Sequence, residues 1–148
     1  MPRAQGSVMR LIERVKLALQ PRPQPNRAHA LGKAGELAAA EFLQKAGYRI
    51  LARNQRTKQG EIDIIARSPH NAVVYIEVKT RRPGRWTGQD AITPTRKRRL
   101  VRAGQVLARR HGWRDGPLRI DVLVLEYSDP AAPPSMRHFV NAVTLNDA

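Results

Sequence analysis

Two short strand-like segments hold the residues of this sequence that could carry out chemistry. The segments are residues 61–65 and residues 74–79. Side chains two apart on a strand point to the same face, so Glu77 and Lys79 share a face of the second strand. If the two strands pair as a hairpin, Asp63 lies beside Glu77, and their carboxylates offer oxygen ligands to Mg²⁺ or Mn²⁺. Such an ion would activate water for attack on a phosphodiester.

Lys79 would orient or deprotonate that water, or pair with a phosphate oxygen, and the sequence leaves these roles open. A purely structural interpretation also stays open at this point. A half-exposed hairpin often carries Glu and Lys on its solvent face, where cross-strand charge pairs add modest stability. Two further features of the sequence favour the catalytic interpretation.

The first feature is a third carboxylate, Glu36. Residues 31–46 are predicted to form a helix, in which Ala39, Ala40 and Leu43 follow Glu36 at helical spacing. A carboxylate on such a small, apolar stripe is costly unless a cation pairs with it, which makes Glu36 a candidate metal ligand. The alternative is that Glu36 only favours the positive end of the helix dipole.

The second feature is the position of the positive charge. The chain has 27 Lys and Arg against 12 Asp and Glu, and residues 79–114 contain 12 of the basic residues with Asp90 as their one acid. Guanidinium groups match phosphate geometry and an indole can stack on a base, so this segment is predicted to bind nucleic acid, with an anionic membrane surface as the second choice. The predicted contact residues are Arg81, Arg82, Arg85, Trp86, Arg96, Lys97, Arg98, Arg99 and Arg102.

Other classes of protein and site are excluded or made less favourable. The chain has no cysteine, which removes disulfides and thiolate-bound metals and favours a cytoplasmic location. No apolar run approaches the roughly 20 residues that span a bilayer, and charged residues interrupt the N-terminus, so neither integral membrane association nor a secretory signal is expected. The four histidines show no metal-ligand spacing and are predicted to be surface residues.

A proline-rich segment divides the chain into an arm and one domain. Residues 1–29 are predicted to form a flexible arm, with an amphipathic helix over 7–19 and a proline-rich linker at 21–25. Residues 30–148 are predicted to form a single domain. Its second helix begins after Thr93 as N-cap, with Pro94 at the first helical position. The predicted order is a helix at 31–46, strands at 48–51, 61–66 and 73–79 with a basic turn at 54–60, a helix at 94–110, and strands at 118–124 and 139–143.

These motifs together resemble the YraN family. The resemblance covers about residues 30–145 and departs from the superfamily pattern at Ile62, which stands where a proline often precedes the aspartate. The family is described as endonuclease-like and belongs to the PD-(D/E)xK restriction-endonuclease-like superfamily, near the archaeal Holliday junction resolvases. The matching residues are Gly35-Glu36, Asn54, Gly60-Glu61-Ile62-Asp63, Glu77-Val78-Lys79-Thr80-Arg81, Lys97 and Asn141-Ala142.

The resemblance implies an α/β fold in which helices flank a central mixed sheet. It implies Asp63, Glu77 and Lys79 as the catalytic triad, with Glu36 joining the shell of a Mg²⁺ or Mn²⁺ ion. The expected activity is hydrolysis of phosphodiester bonds in DNA rather than RNA, including branched or junction DNA, and a homodimer is expected by analogy with the resolvases. The alternative is a nucleic-acid-binding protein that uses the same fold without turnover.

Overall fold

A computed structural model of the chain describes residues 27–85, 87, 90–113, 116–129 and 131–148. The helix predicted at 7–19, the proline-rich linker and Trp86 lie outside the described residues. Within the described part of the chain, no helix is long and apolar enough to cross a membrane.

Five strands form one mixed sheet, in the spatial order β1-β2-β3-β4-β5. Strands β3 and β4 are parallel, whereas the other three neighbouring pairs are antiparallel. Parallel neighbours require a long crossover, and a helix provides it between β3 and β4. The strands are β1 (Arg49–Thr57), β2 (Gly60–Arg67), β3 (Val73–Arg81), β4 (Arg119–Glu126) and β5 (Ser135–Val143).

Two helices cover opposite faces of this sheet. Helix α1 (Arg27–Lys45) precedes β1, and helix α2 (Pro94–His111) joins β3 to β4. Alternation along β4 shows the two faces, because Val122 and Val124 share a buried cluster with α2 while Leu123 and Leu125 share another with α1. The predicted fold class, α/β with a central mixed sheet flanked by helices, is confirmed.

The predicted boundaries of α2 are also confirmed. The hydroxyl oxygen of Thr93 accepts a hydrogen bond from the Arg96 backbone N–H at 3.2 Å, which caps the first turn. Gly112 ends the helix in the left-handed conformation, with φ of 70°. These two caps therefore set where α2 begins and ends.

Predicted boundaries of α1, β1 and β5 differ from the structure, and β5 begins at Ser135 rather than at residue 139. Helix α1 begins at Arg27 rather than at residue 31, and Arg27, Ala28 and Ala30 are good helix formers. Strand β1 continues through most of the predicted basic turn, paired with β2 as far as Thr57. The extension is possible because a register shift between Ile50 and Ala52 and a positive φ at Asn54 accommodate irregular backbone within the strand.

Candidate active site

The site lies where β2 and β3 separate. Their antiparallel pairing ends at Ile64 and Ile76, so the next residues, Asp63 and Glu77, stand at the opening. The Val78 backbone N–H donates a hydrogen bond to Asp63 Oδ2 at 2.8 Å. A side-chain carboxylate thus accepts a backbone hydrogen bond just beyond the end of the ladder, and this contact holds Asp63 against β3.

Glu77 is buried among cations, with only 1% of its surface exposed. Arg96 binds it with two hydrogen bonds, from Nε to Oε1 at 3.0 Å and from Nη2 to Oε2 at 2.7 Å. Lys79 Nζ lies 2.8 Å from Oε1. Burial acts to raise the pKa of Glu77, but Arg96 and Lys79 outweigh it and leave the pKa below its ordinary value. Glu77 is therefore ionised at neutral pH.

The pKa of Asp63 moves in the opposite direction. Burial is the largest cause, and repulsion from Glu77 and Glu36 acts in the same direction, whereas the hydrogen bond from Val78 lowers the pKa. Together these effects raise the pKa of Asp63 to about 7. Two carboxylates that share a small space cannot both ionise at low cost, and here the one without a dedicated cation takes up the proton. Within this pair, Glu77 is therefore a carboxylate near neutral pH, whereas Asp63 titrates there.

Glu36 reaches the site because α1 approaches β3 closely at Gly35. A Cβ atom at Gly35 would lie 2.8 Å from Thr80 Oγ1, so only glycine permits this approach. The next residue, Glu36, is half-buried and adds to the rise in the pKa of Asp63. The structure thus brings Asp63, Glu77 and Lys79, from two strands, to one place and leaves Glu36 on α1 within electrostatic range of Asp63.

Arg96 was predicted to contact nucleic acid, and the structure places it inside this site. Besides Glu77, its Nη2 atom donates a hydrogen bond to the Glu61 carbonyl oxygen at 2.9 Å. The Thr93 cap sets the start of α2, which directs the guanidinium of Arg96 over the open ends of β2 and β3. A basic residue three positions after an N-cap is the sequence signal for this role, although on its own it resembles any other charge on the helix.

The prediction that Lys97 contacts nucleic acid from the outer face of α2 is not supported. Lys97 is buried, and its Nζ atom lies 3.6 Å from Asp147 Oδ1. It precedes Leu100, Val101, Gly104 and Leu107 at helical spacing, so it belongs to the inward stripe of α2. Its position in a run of four basic residues concealed this periodicity.

The other predicted contact residues that the structure describes lie at or near the surface. Arg81 is half-buried, and its Nη2 atom donates to the Ala91 carbonyl oxygen at 3.2 Å. We refer to Arg98, Arg99 and Arg102, which are exposed on α2, as the cationic face. Arg82 and Arg85 are exposed on the loop that follows β3.

The donor set fits a divalent ion only in part. Among the described residues, no group of three or more Asp, Glu or His side chains is placed to hold a metal. Mg²⁺ needs only one or two carboxylates together with water and phosphate oxygens, and Asp63 and Glu77 meet that requirement. An ion there would compete with Arg96 and Lys79 for the oxygens of Glu77. The three-carboxylate shell with Glu36 stays a prediction.

A second polar cluster, at the start of β4, was not anticipated. Asp121 is fully buried and accepts two hydrogen bonds from Arg119, at 3.0 and 2.8 Å, and one from the Asn141 backbone N–H at 2.8 Å. His138 Nε2 lies 2.8 Å from Asp121 Oδ2, so the prediction of a surface histidine is wrong at this position. Burial opposes ionisation of Asp121, but His138 and Arg119 hold its pKa below the ordinary value.

Sequence relatives align with most of the described chain. The model of "Uncharacterised protein family UPF0102" matches residues 35–125, a range that includes every residue placed in the site. A UPF0102 protein of Symbiobacterium thermophilum is 47% identical over 97 residues, which cover 65% of this chain and 81% of the relative. A UPF0102 protein of Geobacter sulfurreducens is 40% identical over 116 residues, which cover 78% of this chain and 89% of the relative.

A solved structure with a similar arrangement is that of Pyrococcus furiosus SfsA in complex with Ca²⁺. The TM-score is 0.39 at 18% identity, and the match covers 76% of this chain and 63% of the SfsA chain. The chain thus spans slightly less than two thirds of SfsA. On the family model and the relatives above, the chain belongs to the UPF0102 family, which is the YraN family that its motifs resemble.

Proposed function

We propose that this protein is a metal-dependent nuclease that hydrolyses phosphodiester bonds of DNA, with branched or junction DNA among its substrates. The observation that carries the proposal is the meeting of Asp63 and Glu77 beside Lys79, where β2 and β3 separate. Opposed pKa shifts in two neighbouring carboxylates are typical of sites that bind a cation or move a proton.

Each residue has a distinct role in this proposal. Asp63 and Glu77 hold the ion, and Glu36 supports it from α1. A bound Mg²⁺ or Mn²⁺ supplies charge stabilisation at the phosphate and lowers the pKa of a coordinated water. Lys79, held 2.8 Å from Glu77 by its ion pair, orients the attacking water or binds a phosphate oxygen. The cationic face of α2 supports binding of the polyanionic substrate next to these groups.

The test is a cleavage panel of linear, flapped and four-way DNA with Mg²⁺ or Mn²⁺. Asp63→Asn and Glu77→Gln should each reduce cleavage at least a hundredfold while DNA affinity changes less than threefold. Glu41→Gln, which removes an exposed carboxylate from α1, is the matched control and should cleave as the wild type does. Undiminished cleavage by both site variants would rule out this assignment.

A second candidate function is DNA binding without turnover. It is favoured by one observation: Arg96 and Lys79 already neutralise Glu77, as in a structural ion-pair network. In that case no DNA topology in the panel is cut with either metal, while binding still weakens steeply with salt, by about 0.9 log units in affinity per log unit of salt for each phosphate contact. That combination of results would replace the nuclease proposal.

A further inference from the structure

A cavity of about 760 Å³ lies on the α2 side of the sheet, at the end away from Glu77. The last turns of α2, the start of β4 and the connection between β2 and β3 form its walls. Arg109, which lines it, is thirteen residues beyond Arg96, so the two positions are about 20 Å apart along the helix axis. The cavity is therefore separate from the candidate active site.

The charged side chains around this cavity are basic. Arg67, Arg109 and Arg119 line it from β2, α2 and β4, and no carboxylate is among the described lining residues. Arg119 pairs with Asp121, whereas Arg67 and Arg109 form no ion pair within the described part of the chain. Arg67 Nη1 donates to the Asn71 carbonyl oxygen at 2.9 Å, which fixes its position and leaves further N–H donors available. Such a cavity favours an anionic ligand.

One buried hydrogen-bonding group in the cavity wall lacks a partner. Tyr75 lines the cavity and is 2% exposed, and its hydroxyl forms no hydrogen bond with the described residues. Burial raises the pKa of Tyr75 to about 12, so the group stays a neutral donor. A buried donor without a partner is costly and rare in folded proteins. The oxygen has less than 1 Å² of accessible surface, so a bound acceptor atom would satisfy it after a small shift of the cavity wall.

The rest of the wall suits a flat, apolar group. Trp113 lines the cavity and stacks on His111 with ring centroids 4.4 Å apart, which holds the indole in one orientation. Leu118 and Val73 add apolar surface. A Cβ atom added at Gly116 would meet nothing within 4 Å, so there is open space beside this residue.

We propose that this cavity binds a mononucleotide, with its phosphate on Arg67 and Arg109, its base against the apolar wall, and an acceptor atom of the base on the Tyr75 hydroxyl. The same chemistry is present in a free nucleotide and in the 5′-phosphorylated end of a nucleic-acid strand. The proposal does not rest on the nuclease function, because binding requires neither Asp63 nor a metal.

The test is calorimetric titration of the full-length protein with AMP, adenosine and a 5′-phosphorylated trinucleotide, without added metal. AMP should bind in a 1:1 ratio and adenosine at least tenfold more weakly. Arg109→Gln and Tyr75→Phe should each weaken AMP binding at least fivefold. Arg110→Gln removes the adjacent exposed charge on α2 and is the matched control, with binding unchanged.

Melting temperature in the absence of ligand distinguishes loss of binding from loss of folding. Tyr75→Phe should melt at the same temperature as the wild type or higher, because the substitution removes an unpaired buried hydroxyl. Asp63→Asn should bind AMP normally, so the outcome is independent of cleavage. Tighter binding of the trinucleotide than of AMP would assign the cavity to strand ends, and the reverse would assign it to free nucleotides. Absence of AMP and trinucleotide binding, or full AMP binding by Arg109→Gln, would overturn the proposal.

Discussion

Asp63 and Glu77 are carboxylates at neighbouring positions, yet their pKa values move in opposite directions. The difference arises from the guanidinium of Arg96 and the ammonium of Lys79, which both bind Glu77. Asp63 has only the Val78 N–H as a hydrogen-bond donor in the described structure, so its ionisation brings a second negative charge close to the first. A divalent ion would remove that repulsion, and this is the strongest physical reason to expect one here.

The raised pKa of Asp63 makes folding stability depend on pH. Between the unfolded value of 3.8 and the folded value of about 7, the folded state binds more protons, so stability falls as pH rises through this range. Asn keeps an acceptor for Val78 and cannot ionise. We therefore expect Asp63→Asn to unfold at a higher urea concentration than the wild type at pH 8, with a free energy of unfolding larger by on the order of 2 kcal/mol. At pH 4 the two proteins should differ little.

Added Mg²⁺ provides a companion measurement for the same residue. If the ion binds Asp63, it should stabilise the wild type at pH 8 and leave Asp63→Asn unchanged. Equal stability of the two proteins across pH 4 to 8 would contradict the raised pKa.

Substitution of Arg96 tests how the charge of Glu77 is stabilised. Arg96→Met leaves the buried Glu77 with Lys79 as its one cation, and an uncompensated buried charge is strongly destabilising. We expect a loss of about 2 kcal/mol in the free energy of unfolding, which is below the range for a fully buried pair because Lys79 remains. Arg99→Met is the exposed control on the same helix, and Arg96→Met combined with Glu77→Gln should cost less than the sum of the two single changes.

At the scale of elements, periodicity and capping residues predicted most of the fold. The pattern in α2 was strong because Thr93, Pro94 and Gly112 mark its ends. The separation of β2 from β3 was not predictable, because both strands continue past Ile64 and Ile76, each paired with its other neighbour. Whether a ladder continues depends on tertiary packing, which the local pattern does not contain.

Two residues show why the remaining placements escaped prediction. Lys97 looked like a surface charge because its neighbours in sequence are arginines, although its spacing to Leu100 places it inside. Asp121 alternates with apolar residues, a pattern that does not show that α1 covers that side of β4. Partners from distant elements contribute in both cases, Asp147 for Lys97 and, beside Arg119 on its own strand, His138 of β5 for Asp121.

The Asp121 cluster should contribute stability with the opposite pH dependence. Its lowered pKa means that the contribution is present above pH 3.8 and is lost as pH falls through the folded value. We expect Asp121→Ala to destabilise the protein by about 3 kcal/mol at pH 7, because Arg119 then has lost its carboxylate partner at a largely buried position. Near pH 2 the difference from the wild type should be smaller. Asp129→Ala, on the exposed turn after β4, should change the urea midpoint little at either pH.

At the scale of the whole molecule, charge organises one surface. The net charge is +15, and the cationic face lies on the same helix whose first turn enters the candidate active site. Arg98→Gln combined with Arg102→Gln should lower the log–log salt slope of DNA binding by about 1.8, since each phosphate contact contributes about 0.9. Filter binding or fluorescence anisotropy across 50 to 300 mM NaCl measures this slope.

Lys97→Met provides the control for the salt experiment. It removes one charge from the same run of basic residues, but from the buried side of α2. Because Lys97 is buried near Asp147, its loss should leave the salt slope unchanged within about 0.3. A slope change equal to that of an exposed arginine would mean that Lys97 faces the DNA.

The two hydrogen bonds from Arg96 to Glu77 link the start of α2 to the interior of the site. Helix ends normally fray within microseconds or faster, opening and closing independently of the core. Here the first turn cannot open without depriving Glu77 of its guanidinium. We therefore expect the first turn of α2 to open more slowly than its last turn, with hydrogen exchange at the amides of residues 97–99 becoming faster in Glu77→Gln.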